Sequence, residues 1–221
     1  MSANYCPPSD MARMRQHFGV ALSASAHFPA EVWPCDQAPA ILLEPGGAGE
    51  PPQRRAFLGQ FGLLPYWSKD PTLAKRTYNA RAQTAPERSH FKDAWLKGQR
   101  CIIPAEWIGE SFTGDGKPVR WKIARRDGAP MAVAGLWSRW WALNGTEVMS
   151  FAMLTVDVGA HPLMQRFQTP EGDKQMVVVL DEADQARWLS CPPDEMMALM
   201  RPFDAGLFVA EAAPLPPRVP A

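Results

Sequence analysis

Short apolar runs alternate with polar turns along this chain, and their periods predict a mixture of strands and a few helices. Pro7-Pro8-Ser9-Asp10 opens a helix with Ser9 as N-cap; Met11, Met14 and Phe18 fall at i, i+3 and i+7, and Gly19 stops it. Residues 31–43 read as extended chain broken by Pro34 and Pro39, followed by a Gly/Pro loop over 45–52. Residues 56–64 read as a strand. Thr84 and Glu87 form a capping box for a helix whose apolar face is Phe91, Ala94 and Trp95, ended by Gly98. Residues 100–105 are a short buried strand. After a Gly-Asp-Gly turn at 114–116, residues 119–124 and 131–137 read as a hairpin around Asp127-Gly128. Residues 149–156 and 176–180 are further apolar strands. Asp181 caps a helix through Trp188, and 194–200 predicts a second, short one. No internal repeat and no linker divides the chain. The pattern predicts an α+β fold: one domain over 1–221, a curved, mostly antiparallel sheet with peripheral helices, and a Pro-rich tail over 212–221.

Composition narrows the function classes. At 221 residues the chain is long enough to bury a sizeable core. Its formal net charge is zero, so the molecule as a whole offers no electrostatic footprint for nucleic acid or an anionic membrane, although a local basic groove is compatible with that balance. Four cysteines stand alone, with no CxxC and no Cys/His pair at zinc spacing, which fits a reducing cytosol and predicts no bound metal or cofactor. No apolar run is long enough for a membrane span, and no signal peptide precedes the first helix.

One stretch has a composition that neither a core strand nor an amphipathic helix requires. Residues 78–84, Tyr-Asn-Ala-Arg-Ala-Gln-Thr, pack two amides, a guanidinium and a hydroxyl between hydrophobic runs. Asn79 and Arg81, spaced i, i+2 in extended chain, point to one side. Asn79 offers donors and an acceptor, and Arg81 a fork that fits phosphate. A loop fixed by its own side-chain hydrogen bonds accounts for the same pattern. Glu110, just past a buried strand, is placed for partial desolvation and proton transfer, or is an ordinary charged strand end. Trp67 is a stacking candidate for unpaired bases or a core residue, and Lys69, Lys75 and Arg76 form a modest basic strip or solvated surface.

Taken in order, Phe61-Gly-Leu-Leu-Pro-Tyr-Trp67, Asn79-Ala-Arg-Ala-Gln-Thr84, Arg100-Cys-Ile-Ile-Pro-Ala105 with Glu110, Ala134-Gly-Leu-Trp137, Phe151-Ala-Met-Leu-Thr155 and Met176-Val-Val-Val-Leu180 resemble the SOS response-associated peptidase (SRAP) family of abasic-site processing proteins. The resemblance implies that the curved, mostly antiparallel sheet is barrel-like, and that the protein is a sensor of abasic sites in single-stranded or junction DNA, acting as a cytoplasmic, nucleoid-associated monomer. In that family the initiator Met is removed to expose a cysteine, whose α-amine forms a Schiff base with the ring-opened sugar and whose thiol closes a thiazolidine. Amine and thiol on one residue make ring closure intramolecular. The family's Asn, acidic residue and phosphate-gripping Arg correspond to Asn79, Glu110 and Arg81.

The sequence departs from this pattern at two positions of consequence. Ser2 stands where the family has Cys, and a hydroxyl is a poorer nucleophile than a thiol. Gln168 follows Phe167 where the family has a His; His161, from the same loop, is the weaker replacement. A lesser departure is Gln83, where the family commonly has Glu. The resemblance therefore leaves three readings: an abasic-site crosslinker or lyase weakened by Ser2, a single-stranded DNA-binding module that has lost its chemistry, and an N-terminal-Ser peptidase or amidohydrolase.

Overall fold

The computed structural model describes residues 4–23, 25–113, 118–167 and 175–214. In chain order the elements are β1 (Tyr5–Cys6), α1 (Met11–Phe18), β2 (Gln37–Glu44), β3 (Gln53–Phe61), β4 (Asn79–Arg81), α2 (Lys92–Leu96), β5 (Arg100–Ala105), β6 (Trp107–Thr113), β7 (Pro118–Arg125), β8 (Met131–Trp141), β9 (Glu147–Asp157), β10 (Gln175–Val177), β11 (Val179–Leu180), α3 (Glu182–Ser190) and β12 (Phe208–Ala212).

Among the described residues the strands form two sheets. The larger runs β10-β9-β3-β2-β5-β8-β11, and a further pairing of β8 with β9 closes β9, β3, β2, β5 and β8 into a barrel. Four of its five seams are antiparallel; the fifth, between β3 and β9, is parallel, with Phe61 opposite Phe151. A barrel this narrow has no lumen, so side chains fill it. That is why residues 101–105 of β5 and the first half of β8 read as unbroken apolar runs and are buried throughout. The smaller sheet, β1-β6-β7-β12, packs against the barrel, and one contiguous core joins Ile108, Ile123 and Phe208 of the small sheet to Ile41, Ile102 and Phe151 of the barrel.

The ring of Phe61 is where barrel, chain start and polar stretch meet. It stacks on Phe151 at 5.7 Å, takes Tyr5 edge-on at 5.3 Å and lies 5.7 Å from Tyr78. Gly62 follows with φ +120°, and a Cβ there would lie 2.2 Å from the Ala74 carbonyl oxygen, so only glycine lets the chain leave the barrel at this point.

Several local expectations need correction. Residues 119–124 and 131–137 are not a hairpin: β7 pairs with β6 and β12, β8 with β5 and β9. The Asp127-Gly128 turn does form, closed by the Gly128 N–H on the Arg125 carbonyl at 3.2 Å, but it hands the chain from one sheet to the other. Every residue from Met131 to Leu136 is buried, and the barrel covers both faces of β8 as a two-stranded ribbon would not. The cap of α1 is Asp10, whose carboxylate accepts from the Ala12 N–H at 2.7 Å, rather than Ser9; Gly19 closes the helix in the left-handed region as expected. The helix expected from Thr84 is helical only over α2, with tight turns in front of it, and residues 193–199 are a 3-10 helix. Asp181 caps α3 as read. The turn at 114–116, Ser2, Gln168 and the tail from 215 lie outside the described residues.

Candidate active site and nucleic-acid interface

Strand β4 is three residues long and runs parallel to β9, with Asn79 opposite Met153 and Arg81 opposite Thr155. Residues directly opposite in a sheet share a face, so Asn79, Arg81 and Thr155 point the same way. On the far edge of β9, β10 sets Gln175 opposite Asp157, which continues that face. Thr155 Oγ1 donates to Gln175 Oε1 at 3.1 Å, and Gln175 Nε2 donates to Asp157 Oδ1, so the amide is held in one orientation. Thr155 and Gln175 are both buried. Together with Asn79 and Arg81 they line a cavity of about 290 Å³.

The chain after β4 wraps the other side of this cavity. The Arg81 carbonyl accepts from the N–H groups of Thr84 and Ala85 at 3.1 and 2.8 Å, and the Thr84 carbonyl from those of Glu87 and Arg88 at 3.0 Å each. These turns bring Arg88 and His90 to the cavity wall. His90 in turn stacks on Trp67, ring centroids 6.0 Å apart and planes at 29°. Trp67 is 44% exposed and Tyr66, with Lys97 Nζ 4.8 Å from its ring centroid, is also exposed, so an aromatic shelf adjoins the cavity. Lys69, Lys75 and Arg76 are exposed but do not line it. Lys75 and Arg76 end the 3-10 helix Pro71–Arg76, and Lys75 is near enough to Cys35 to pull its thiol downward against the larger upward push of burial.

Glu110 belongs to β6, where it sits opposite Trp121 and is 5% exposed. Phe112 and Trp121, on the same face, meet edge-on at 6.2 Å, and Phe167 packs against both at 6.4 and 5.9 Å. The start of the described chain lies alongside: the Asn4 carbonyl accepts from the Gly109 N–H at 2.9 Å, next to Glu110. Asn4 is buried, and its Nδ2 donates to Glu31 Oε1 at 2.5 Å. The same oxygen takes Arg120 Nη1, and Arg120 Nε donates to the Ala213 carbonyl at 2.9 Å. Tyr5 is bonded to Val32 on its other side through both backbone groups. The first described residues are thus clamped on both edges beside a buried carboxyl group.

His161 does not face this region. Its Nε2 donates to the Phe203 carbonyl at 2.8 Å, its Nδ1 accepts from the Met164 N–H at 3.1 Å, and its ring lies edge-on to Phe203 at 4.9 Å. Both nitrogens brace the 158–167 loop. Sequence reasoning passed over Thr155, Gln175, Arg88 and His90. Thr155 did carry a signal, a hydroxyl inside the apolar run 149–156, whereas Arg88 and His90 carried none beyond their place in the helix expected from Thr84. No group of three His, Cys, Asp or Glu among the described residues could hold a metal ion, and no described helix is long and apolar enough to cross a membrane.

Residues 1–219 match the family described as SOS response associated peptidase (SRAP). The chain belongs to the SRAP family. Its fold superposes on a solved protein from Bordetella bronchiseptica with a TM-score of 0.86 and 34% identity, covering 96% of this chain and 100% of that one. A solved protein from Bacteroides thetaiotaomicron shares the SRAP fold at a TM-score of 0.78 and 20% identity, over 95% of this chain and 90% of that one. Among curated relatives, the chain is 30% identical over 152 residues to the abasic site processing protein YoqW of Bacillus subtilis, covering 66% of this chain and 63% of YoqW. It is 28% identical over 119 residues to the abasic site processing protein HMCES of Xenopus tropicalis, covering 44% of this chain and 36% of HMCES. The match therefore spans less than two thirds of these relatives' length.

Proposed function

We propose that this SRAP chain processes abasic sites in single-stranded DNA through its N-terminal residue. The observation that carries the reading is the clamp on Asn4, which ties the chain two residues after Ser2 to Gly109, next to the buried carboxyl group of Glu110. The names of the relatives, abasic site processing proteins, support the substrate class.

Once Met1 is removed, which the small Ser2 side chain permits, the α-amine is the nucleophile. An α-amine of pKa about 7.7–8.0 is substantially neutral at cellular pH, unlike a lysine amine. Its nitrogen adds to the C1′ aldehyde carbon of the ring-opened sugar, and the carbinolamine loses water to give an imine. Glu110 delivers the proton to the departing hydroxyl, and Asn79 orients the sugar by hydrogen bonds. Arg81 holds a flanking phosphate, and Trp67 offers a stacking surface to an unpaired base. The Ser2 hydroxyl closes onto the imine carbon as an oxazolidine, which reopens more readily than a thiazolidine because oxygen is the poorer nucleophile. The product is a transient Schiff base, open to hydrolysis or to β-elimination of the 3′ phosphate.

The test is borohydride trapping on a single-stranded oligonucleotide carrying one abasic site, with the Met1-processed protein beside Ser2→Cys. Both are expected to trap, and only Ser2→Cys to give a heat-stable adduct without reductant. Asn79→Ala and Glu110→Gln are expected to lower trapping at least tenfold. If DNA binds but neither protein forms a covalent species, the chain is a binding module and the chemistry assigned here is wrong.

A further inference from the structure

We propose that Arg88 is a second phosphate-binding residue, which together with Arg81 grips two phosphates of one DNA strand across the cavity beside β4. The inference rests on the single-strand reading above and adds to it a residue that the family resemblance does not assign.

Three observations carry it. The first is the path of the chain. The turns closed on the Arg81 and Thr84 carbonyls give residues 81–88 a helix-like course, and residues at i, i+3 and i+7 of such a course share one side. Arg81, Thr84 and Arg88 have that spacing, and all three line the cavity. The two guanidinium groups thus reach one space from successive turns, with a hydroxyl between them.

The second is charge. Among the described residues the cavity lining holds two arginines, a histidine, amides, hydroxyls and Phe91 but no carboxylate. Arg88 is exposed, and no described residue hydrogen-bonds or ion-pairs with its guanidinium. Several other arginines of this neutral protein are ion-paired: Arg13 with Glu106, Arg120 with Glu31, Arg125 with Asp127, Arg139 with Glu147. The open Arg88 fork, at a concave site whose described lining carries no acid, suits anionic oxygen.

The third is the shelf next to it. His90 follows Arg88 by two positions and stacks on the exposed Trp67. A cationic groove with aromatic faces along it is the general means of holding unpaired strands, with phosphates on the cations and bases on the rings. The aromatic shelf gives the strand a direction of travel past Arg88.

The test separates binding from chemistry by using a single-stranded oligonucleotide with a tetrahydrofuran abasic analogue, which has no aldehyde. Fluorescence anisotropy over a series of KCl concentrations gives Kd and its salt slope for the full chain and for Arg81→Ala, Arg88→Ala, Arg88→Lys and Arg15→Ala. Arg15 is an exposed arginine on α1, away from the cavity lining, and reports the effect of removing one positive charge anywhere. Arg88→Ala is expected to weaken binding about 5- to 30-fold and to reduce the slope of log K against log salt by about 0.7, the increment for one phosphate contact on a single strand. Arg88→Lys is expected to restore the slope, and Arg15→Ala to leave both quantities unchanged. Unaltered affinity and slope in Arg88→Ala, with Arg81→Ala impaired, overturn the role of Arg88 alone. An equal loss in Arg15→Ala overturns it as well, because the effect is then bulk charge. If the unmodified chain fails to bind the oligonucleotide, the single-strand reading falls, and the second phosphate site with it.

Discussion

The carbonyl oxygen of Asn4 accepts the Gly109 N–H at 2.9 Å, and the Asn4 amide fills the space that any side chain at 109 would need. A Cβ on residue 109 would lie 2.2 Å from Asn4 Oδ1, and Asn4 is held in turn by Glu31. Gly109→Ala is therefore expected to cost about 1–3 kcal/mol, the usual range for overpacking, and to displace the first described residues from the side of Glu110. Thermal unfolding and borohydride trapping measured together check this. Trapping that survives unchanged in folded Gly109→Ala would show that the seat of Asn4 does not matter to the chemistry.

Glu31 is the shared acceptor for Asn4 and Arg120, whose side chain is only 14% exposed. Removing the carboxylate leaves a mostly buried guanidinium without its counter-charge. Glu31→Ala is expected to destabilise by about 1–3 kcal/mol, discounted from the fully buried case because Glu31 itself is 28% exposed. In the double variant with Arg120→Met much of that loss should return. Chemical denaturation of the four proteins of the cycle measures the coupling; strict additivity would mean that the pair is not an energetic unit.

His161 braces a loop through both ring nitrogens. His161→Ala should lower stability by about 1–3 kcal/mol, the cost of leaving buried polar partners unmatched. Per folded molecule it should leave the rate of trapping and its pH profile unchanged. A flattened pH profile in fully folded His161→Ala would mean that this imidazole handles protons after all.

Burial raises the thiol pKa at Cys6, Cys35 and, most strongly, Cys101. Raised values leave little thiolate at neutral pH. Native protein is expected to react with iodoacetamide at Cys6 and Cys35 slowly at pH 7 and faster as pH rises toward 9, with Cys101 untouched until the protein unfolds. Peptide mapping after timed alkylation checks the order. Early labelling of Cys101 would contradict the packed barrel interior in which it sits.

Much of the local structure was legible in the sequence because it depends on periods and caps. The strand over 100–105, the apolar runs of β8 and β9, the left-handed Gly19 and the Asp181 cap follow from side chains near in sequence. The shared face of Asn79 and Arg81 is likewise a period-two argument, and the pairing with β9 bears it out. The barrel-like form of the sheet followed from the family resemblance, and the strand pairing that closes it was not legible. It depends on a parallel seam between β3 and β9, and nothing in either strand names its partner. The mistaken hairpin has the same origin, since a turn signal at Asp127-Gly128 states that the chain reverses and not which sheet receives it.

The site shows the same division. Residues in the motif segments could be named from the sequence, but Gln175 joins Asn79 only through β9 and β10, and Arg88 joins Arg81 through helix-like turns that start at the Arg81 carbonyl, ahead of the helix expected from Thr84. The capping-box pattern gives no measure of how many turns follow. Pro86 and the Ser89-His90 pair are poor helix residues, and regular helix starts only at Lys92.

The parallel register of β4 on β9 also has a consequence in time. A chain made from its N-terminus presents Asn79 and Arg81 to the cell long before the strand that supports them has been synthesised, and Gln175 appears later still. The wall formed by Asn79, Arg81, Thr155 and Gln175 cannot assemble until most of the chain is out of the ribosome. On the proposed function, a nascent protein therefore carries its reactive end first and its binding pocket last, which delays engagement with damaged DNA until the molecule is complete.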